Sequence, residues 1–237
     1  MANEIQILLI TAASIAFLHT ILGPDHYLPF IVMAKSGKWS KLKTFWVTTL
    51  CGIGHVGSSV ILGLIGIATG VALSHLIAIE SWRGDIAAWL LVGFGFVYFI
   101  WGLKRAYKNK THKHIHVHED GTYHTHTHTH TDEHSHINFD GKKPSITPWV
   151  LFVVFVLGPC EPLIPLLMYP AARNSTIGLI VVAIVFGLIT ISTMLTVVFL
   201  TLWGINFLPL QRMERYTHAL GGAAICLTGL CIVFLGL

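Results

Sequence analysis

Seven side chains combine ligand chemistry with apolar surroundings: His19, Asp25, His26, Cys51, His55, Cys160 and Glu161. Imidazole, carboxylate and thiolate together suit borderline-soft divalent ions such as nickel, cobalt or zinc, whereas an all-oxygen set suits magnesium or calcium. Cys51 and His55 are four residues apart and share a helix face. His19 and His26 are seven apart, about 10 Å along a straight helix. They share one ion if a break at Gly23-Pro24 folds them together, and otherwise form successive stations. An ionised carboxylate in hydrocarbon costs several kcal/mol unless paired. Asp25 and Glu161 must therefore be protonated, paired with an imidazole or neutralised by a bound cation. For any one histidine a packing role is the plainer reading. The adjacent Asp25-His26 pair beside a proline favours function.

A second group of ligands lies in HKHIHVHEDGTYHTHTHTHTDEHSH, residues 112–136. It holds ten of the 15 histidines: His112, His114, His116, His118, His124, His126, His128, His130, His134 and His136. Its His-Thr dipeptides put alternate imidazoles on one side of an extended chain, a flexible surface for capturing divalent metal. Neutral imidazole is the ligand, so capture is expected at neutral pH and lost on acidification.

The elements that must hold these residues are membrane spans. Of 237 residues 54% are hydrophobic and 11% charged, against about a quarter charged in soluble domains. The apolar residues form runs near 6–34, 44–74, 86–103, 148–172, 176–203 and 217–237, long enough to cross a bilayer at about 20 residues each. This excludes secreted disulfide scaffolds and nucleic-acid binders. Cys51, Cys160, Cys226 and Cys231 form no CxxC pair. The N-terminus carries Glu4 and no basic residue before its apolar stretch, which reads as a first span rather than a cleaved signal peptide. Thirteen of the 15 basic residues fall in the first, third and fifth connections. The positive-inside rule then puts the His-rich loop in the cytoplasm and both termini outside, in a cell (inner) membrane.

The halves resemble each other. LGPDHYLPFIVMA from Leu22 matches LGPCEPLIPLLMYPA from Leu157, and the same step along the chain takes Gly52 to Gly187. A step shorter by one takes Glu80, Gly95 and Gly102 to Glu214, Gly229 and Gly236. Three spans per half inverts the second copy, the plan of transporters with midplane sites at interrupted helices. The expected fold is an all-α integral membrane protein: six transmembrane helices as two inverted three-helix repeats, the first and fourth helices broken at Gly-Pro. The expected units are 1–107, a first three-span repeat; 108–146, the His-rich loop; and 147–237, a second repeat.

At FLHTILGPDHYLPF, CGIGHVGSS and LGPCEPLIPLL the chain resembles NicO-type nickel/cobalt transporters and UreH-like transmembrane proteins of the LysE-like superfamily, which includes DsbD/CcdA-type membrane domains. In the nickel/cobalt relatives a His followed by an Asp-His pair is associated with metal selection, which implies that role for His19, Asp25 and His26. Five residues, not the usual four, separate His19 from Asp25. The expected function is transport of a divalent transition metal, outward rather than inward, coupled to protons through the same carboxylates and imidazoles. No cofactor is permanently bound and no enzymatic activity is expected; the metal is substrate. The bilayer, the ion, a second copy of the chain and a metallochaperone are the expected partners. The rival class is a CcdA/DsbD-like thiol electron carrier, in which Pro159-Cys160 matches but Asp25 stands where the first half needs a cysteine. A metal-delivery accessory protein is the third.

Overall fold

Gly-Pro pairs interrupt two apolar stretches, and two long helices follow each interruption. In the computed structural model, which describes residues 2–108, 112–117, 123–128, 147–205 and 215–236, the order is α1 (Ala2–Leu22), a 3-10 turn (Pro24–His26), α2 (Leu28–Ser36), α3 (Lys41–Thr69), α4 (Leu73–Lys108), β1 (His112–Val117), β2 (Tyr123–His128), α5 (Thr147–Leu157), α6 (Leu163–Ala172), α7 (Thr176–Ile205) and α8 (Thr217–Leu235). Proline lacks an amide hydrogen and clashes with the carbonyl four residues back. Accordingly α1 stops at Leu22 and α5 at Leu157, each directly ahead of its Gly-Pro pair. The Ser40 hydroxyl accepts the Lys43 amide to start α3, and Gly70, at φ 66°, ends it in the left-handed region.

Among the described residues, five helices are long and apolar enough to cross a membrane: Glu4–Leu22, Lys41–Thr69, Leu73–Tyr107, Thr176–Ile205 and Thr217–Leu235. Pro148–Leu157 and Leu163–Ala172 are shorter apolar helices. Ile7, Trp46, Leu188 and Trp203 are among the large apolar residues on outward faces, where a soluble protein would place charge. The protein is a multi-pass integral membrane protein.

Three features depart from the sequence reading. The expected start of the third span near residue 86 is corrected: α4 begins at Leu73 and contains Glu80, which is fully buried. Glu80, Arg83 and Asp85 resemble a polar connection, but Glu80 and Arg83 pair with each other and so enter the bundle. The first break is off-centre, with 21 residues in α1 and nine in α2, whereas the second is even, with 11 in α5 and ten in α6. Within the expected loop, β1 and β2 pair antiparallel, with His112 opposite His128, His114 opposite His126 and His116 opposite His124. His118, His130, His134 and His136 lie outside the described residues.

The long helices approach one another reciprocally. A Cβ at Gly52 in α3 would lie 2.9 Å from Ile191 in α7, and one at Gly187 in α7 would lie 3.5 Å from Val56 in α3. Gly52 to Gly187 and Val56 to Ile191 are the same step along the chain as Leu22 to Leu157. A Cβ at Gly95 in α4 would overlap the Cys226 amide of α8, and one at Gly229 in α8 would lie 2.9 Å from the Val92 amide of α4. Gly95 to Gly229 and Val92 to Cys226 in turn share the step from Glu80 to Glu214. Two apolar clusters fill the bundle, one around Phe30, Cys51, Phe155 and Met194, the other around Ala16, Val56, Cys160, Leu163 and Phe186.

Candidate metal centre

The first break supplies the centre. Because the helix stops at Leu22, the chain turns through Pro24–His26 and carries His26 back against His19, with ring centroids 4.7 Å apart instead of the spacing of a straight helix. His55 of α3 closes the group, its centroid 4.9 Å from His26 and 6.3 Å from His19. One ring nitrogen from each histidine lies within 4.8 Å of the others. The break at Gly23-Pro24 therefore folds His19 and His26 together.

Hydrogen bonding orients His26. Its Nδ1 is 3.1 Å from the Gly23 carbonyl oxygen and 3.1 Å from Asp25 Oδ1, two acceptors, so the network assigns the proton to Nδ1. The Nε2 lone pair then faces His55 Nε2 at 3.2 Å. Two imidazole nitrogens on one tetrahedral ion, each at about 2.0–2.1 Å, stand about 3.3 Å apart. The Asp25 carboxylate stands where the second ring N–H of a metal-ligating histidine finds its acceptor. Gly23 is required by space: a Cβ there would lie 2.6 Å from His26 Nδ1 and 2.9 Å from Asp25 Oδ1. His26 and His55 are buried, and His19 Nε2 has no hydrogen-bond partner among the described residues. All three line a cavity of about 640 Å³ whose wall also includes Asp25, Asp85, Phe155, Pro159 and Glu161.

The second break is held by residues that sequence reasoning missed. Glu80 Oε2 accepts the Cys160 amide at 3.0 Å and the Ser59 hydroxyl at 3.1 Å. Arg83 pairs with Glu80 and donates to the Val156 carbonyl at 2.8 Å and to Ser58 Oγ at 2.7 Å, while Ser58 donates to the His55 carbonyl at 2.9 Å. The Val156 carbonyl and Cys160 amide, which would bond to each other in a continuous helix, thus meet side chains rather than lipid, as hydrocarbon demands. The chain Val156, Arg83, Ser58, His55 joins the second break to the histidine group. The available signal was the i, i+3 Glu80-Arg83 pair flanked by apolar runs.

The remaining predicted ligands stand apart. Cys51 packs among Phe30, Phe155 and Met194, and Cys160 in the other cluster with Leu163 and Phe186. Both are free and buried. The Cys160 amide is 3.2 Å from Ser59 Oγ, and Ser59 is eight residues beyond Cys51 on α3, about 12 Å along its axis. Glu161 is exposed on the cavity wall, outside the histidine group.

The family described as cytochrome C biogenesis protein transmembrane region matches residues 28–237. The chain belongs to that family. The match to the cytochrome C biogenesis transmembrane family spans the stretch from α2 to α8, which contains Cys51, His55, Glu80, Arg83 and Cys160, and begins two residues past His26. No curated protein and no solved structure is significantly similar to the chain.

Proposed function

We propose that this protein carries a divalent transition metal ion, nickel or cobalt first among them, across the membrane, with His19, His26 and His55 as ligands and Asp25 fixing the His26 tautomer. One observation carries the reading: three imidazole nitrogens from three separate elements converge within 4.8 Å on the wall of a cavity. Asp85 and Glu161 on that wall give the cation an acidic approach. The reciprocal glycine contacts, which follow the two steps relating the halves of the sequence, support two inverted three-helix repeats, and with them alternating access about this centre. The basic connections support a cytoplasmic His-rich segment that gathers ions for export, and the motifs of the first two spans support kinship with the NicO and UreH-like proteins. Proton exchange follows because protons and the metal compete for the same imidazole nitrogens and carboxylates.

The family description favours a second reading, a membrane thiol electron carrier, and Pro159-Cys160 is its strongest local support. That relay requires Cys51 and Cys160 to meet, with Cα atoms within about 7 Å. Equilibrium binding of nickel, cobalt and zinc to the purified protein separates the two. Metal transport predicts one membrane-embedded site that is lost in His26→Ala and kept in Cys51→Ser/Cys160→Ser. Electron transfer predicts no such site and a Cys51–Cys160 disulfide that a thioredoxin-type reductant removes.

A further inference from the structure

We propose that a second cavity, of about 450 Å³ between the ends of α2, α3, α4 and α8, binds a phosphate-bearing anion. Lys38, Lys43 and Arg105 line it together with His218, and no carboxylate is among the described residues that line it. Three permanent like charges around one hollow repel one another and favour an anion there. Aromatic walls hold two of the cations in place without neutralising them: Lys43 Nζ lies 4.8 Å from the Trp39 ring centre and the Arg105 guanidinium 5.4 Å from that of Trp101. Lys38 itself adopts φ 47°, a left-handed conformation that costs an L residue about 1–2 kcal/mol and is retained most often where function requires it.

The floor of the cavity is a fixed relay of hydrogen bonds. Ser36 Oγ donates to the Val32 carbonyl at 2.7 Å, so Tyr98 donates to Ser36 at 2.8 Å and His218 Nδ1–H donates to Tyr98 at 2.6 Å. This arrangement satisfies all three contacts and locks the His218 ring against the α4–α8 pair. Arginine offers a planar fork of donors to phosphate oxygens and lysine a point charge. A pocket of this composition at the ends of spanning helices, flanked by tryptophan, suits the phosphodiester of an anionic lipid. Free phosphate shares that chemistry and is the other source.

The test uses the full chain purified in neutral detergent, with Tm and native mass spectrometry read against phosphatidylglycerol, phosphatidylcholine and inorganic phosphate. Phosphatidylglycerol is expected to bind at one site and raise Tm, with phosphatidylcholine inert. Lys43→Gln/Arg105→Gln is expected to bind about tenfold more weakly, and Arg173→Gln, at the end of α6, to bind as wild type. Should the double variant not fold, Lys38→Gln, whose side chain is exposed, replaces it with an expected loss of about threefold. Protection by millimolar inorganic phosphate but not by the lipid would assign the same site to a soluble anion. Equal binding of both lipids, or binding indifferent to these substitutions, would overturn the proposal.

Discussion

The Glu80 carboxylate accepts the backbone amide of Cys160 at 3.0 Å, although 80 residues of chain separate the two. A fully buried acid on an unbroken helix thus stabilises the break in a neighbouring one, and its partner Arg83 reaches the Val156 carbonyl on the other side of that break. Removing one member of a buried ion pair leaves an uncompensated charge, at a cost of about 3–5 kcal/mol. Glu80→Ala should therefore lower the unfolding free energy by about 3 kcal/mol in a denaturing-detergent titration. Glu80→Ala/Arg83→Met should recover more than half of that loss. A loss unchanged by the second substitution would mean that the pair is not what holds the break.

Gly95 and Gly93 provide a matched comparison on one helix. A Cβ at Gly95 would overlap the Cys226 backbone, whereas one at Gly93 would meet nothing within 4 Å. Gly93→Ala should stabilise by up to about 1 kcal/mol through helix propensity. Gly95→Ala should destabilise by about 1–3 kcal/mol because α8 must move away. Gly229→Ala, the reciprocal position, should behave like Gly95→Ala, and the same titration measures all three.

Gly23 tests the geometry of the centre without deleting a ligand. Its Cβ would lie 2.6 Å from His26 Nδ1, so Gly23→Ala must displace that ring from Asp25. Disturbing the group that orients a ligand costs about 10–100-fold in metal affinity. Nickel binding to Gly23→Ala should weaken by that factor, with Tm within a few degrees of wild type. Gly57→Ala, in open space on α3, should bind nickel normally.

Much of the centre was legible because polar residues inside apolar runs stand out. His19, Asp25, His26 and His55 interrupt stretches with no other reason to be polar, and the Gly23-Pro24 pair marked where the chain would turn. Helical periodicity also put Cys51 and His55 on one face, but four residues turn through about 40° more than a full circle. That difference directs Cys51 into the cluster of Phe30 and Met194 while His55 faces the cavity. Glu80 was hidden for the opposite reason. It stands with Ser81, Arg83 and Asp85 in a segment whose composition matches a connection, and only its pairing with Arg83 and the Cys160 amide shows that it belongs to the interior. The likeness of the halves was visible in the constant steps from Leu22 to Leu157 and from Glu80 to Glu214, and the interhelix approach at Gly52, Gly95, Gly187 and Gly229 obeys the same arithmetic.

The most direct test of the central claim is nickel flux into proteoliposomes that enclose a metal-sensitive dye. Wild type and Cys51→Ser/Cys160→Ser should both transport, and His26→Ala should fall to the level of protein-free vesicles. Undiminished flux in His26→Ala would contradict the account, as would wild-type vesicles that pass no metal but exchange thiol reducing equivalents through Cys51 and Cys160.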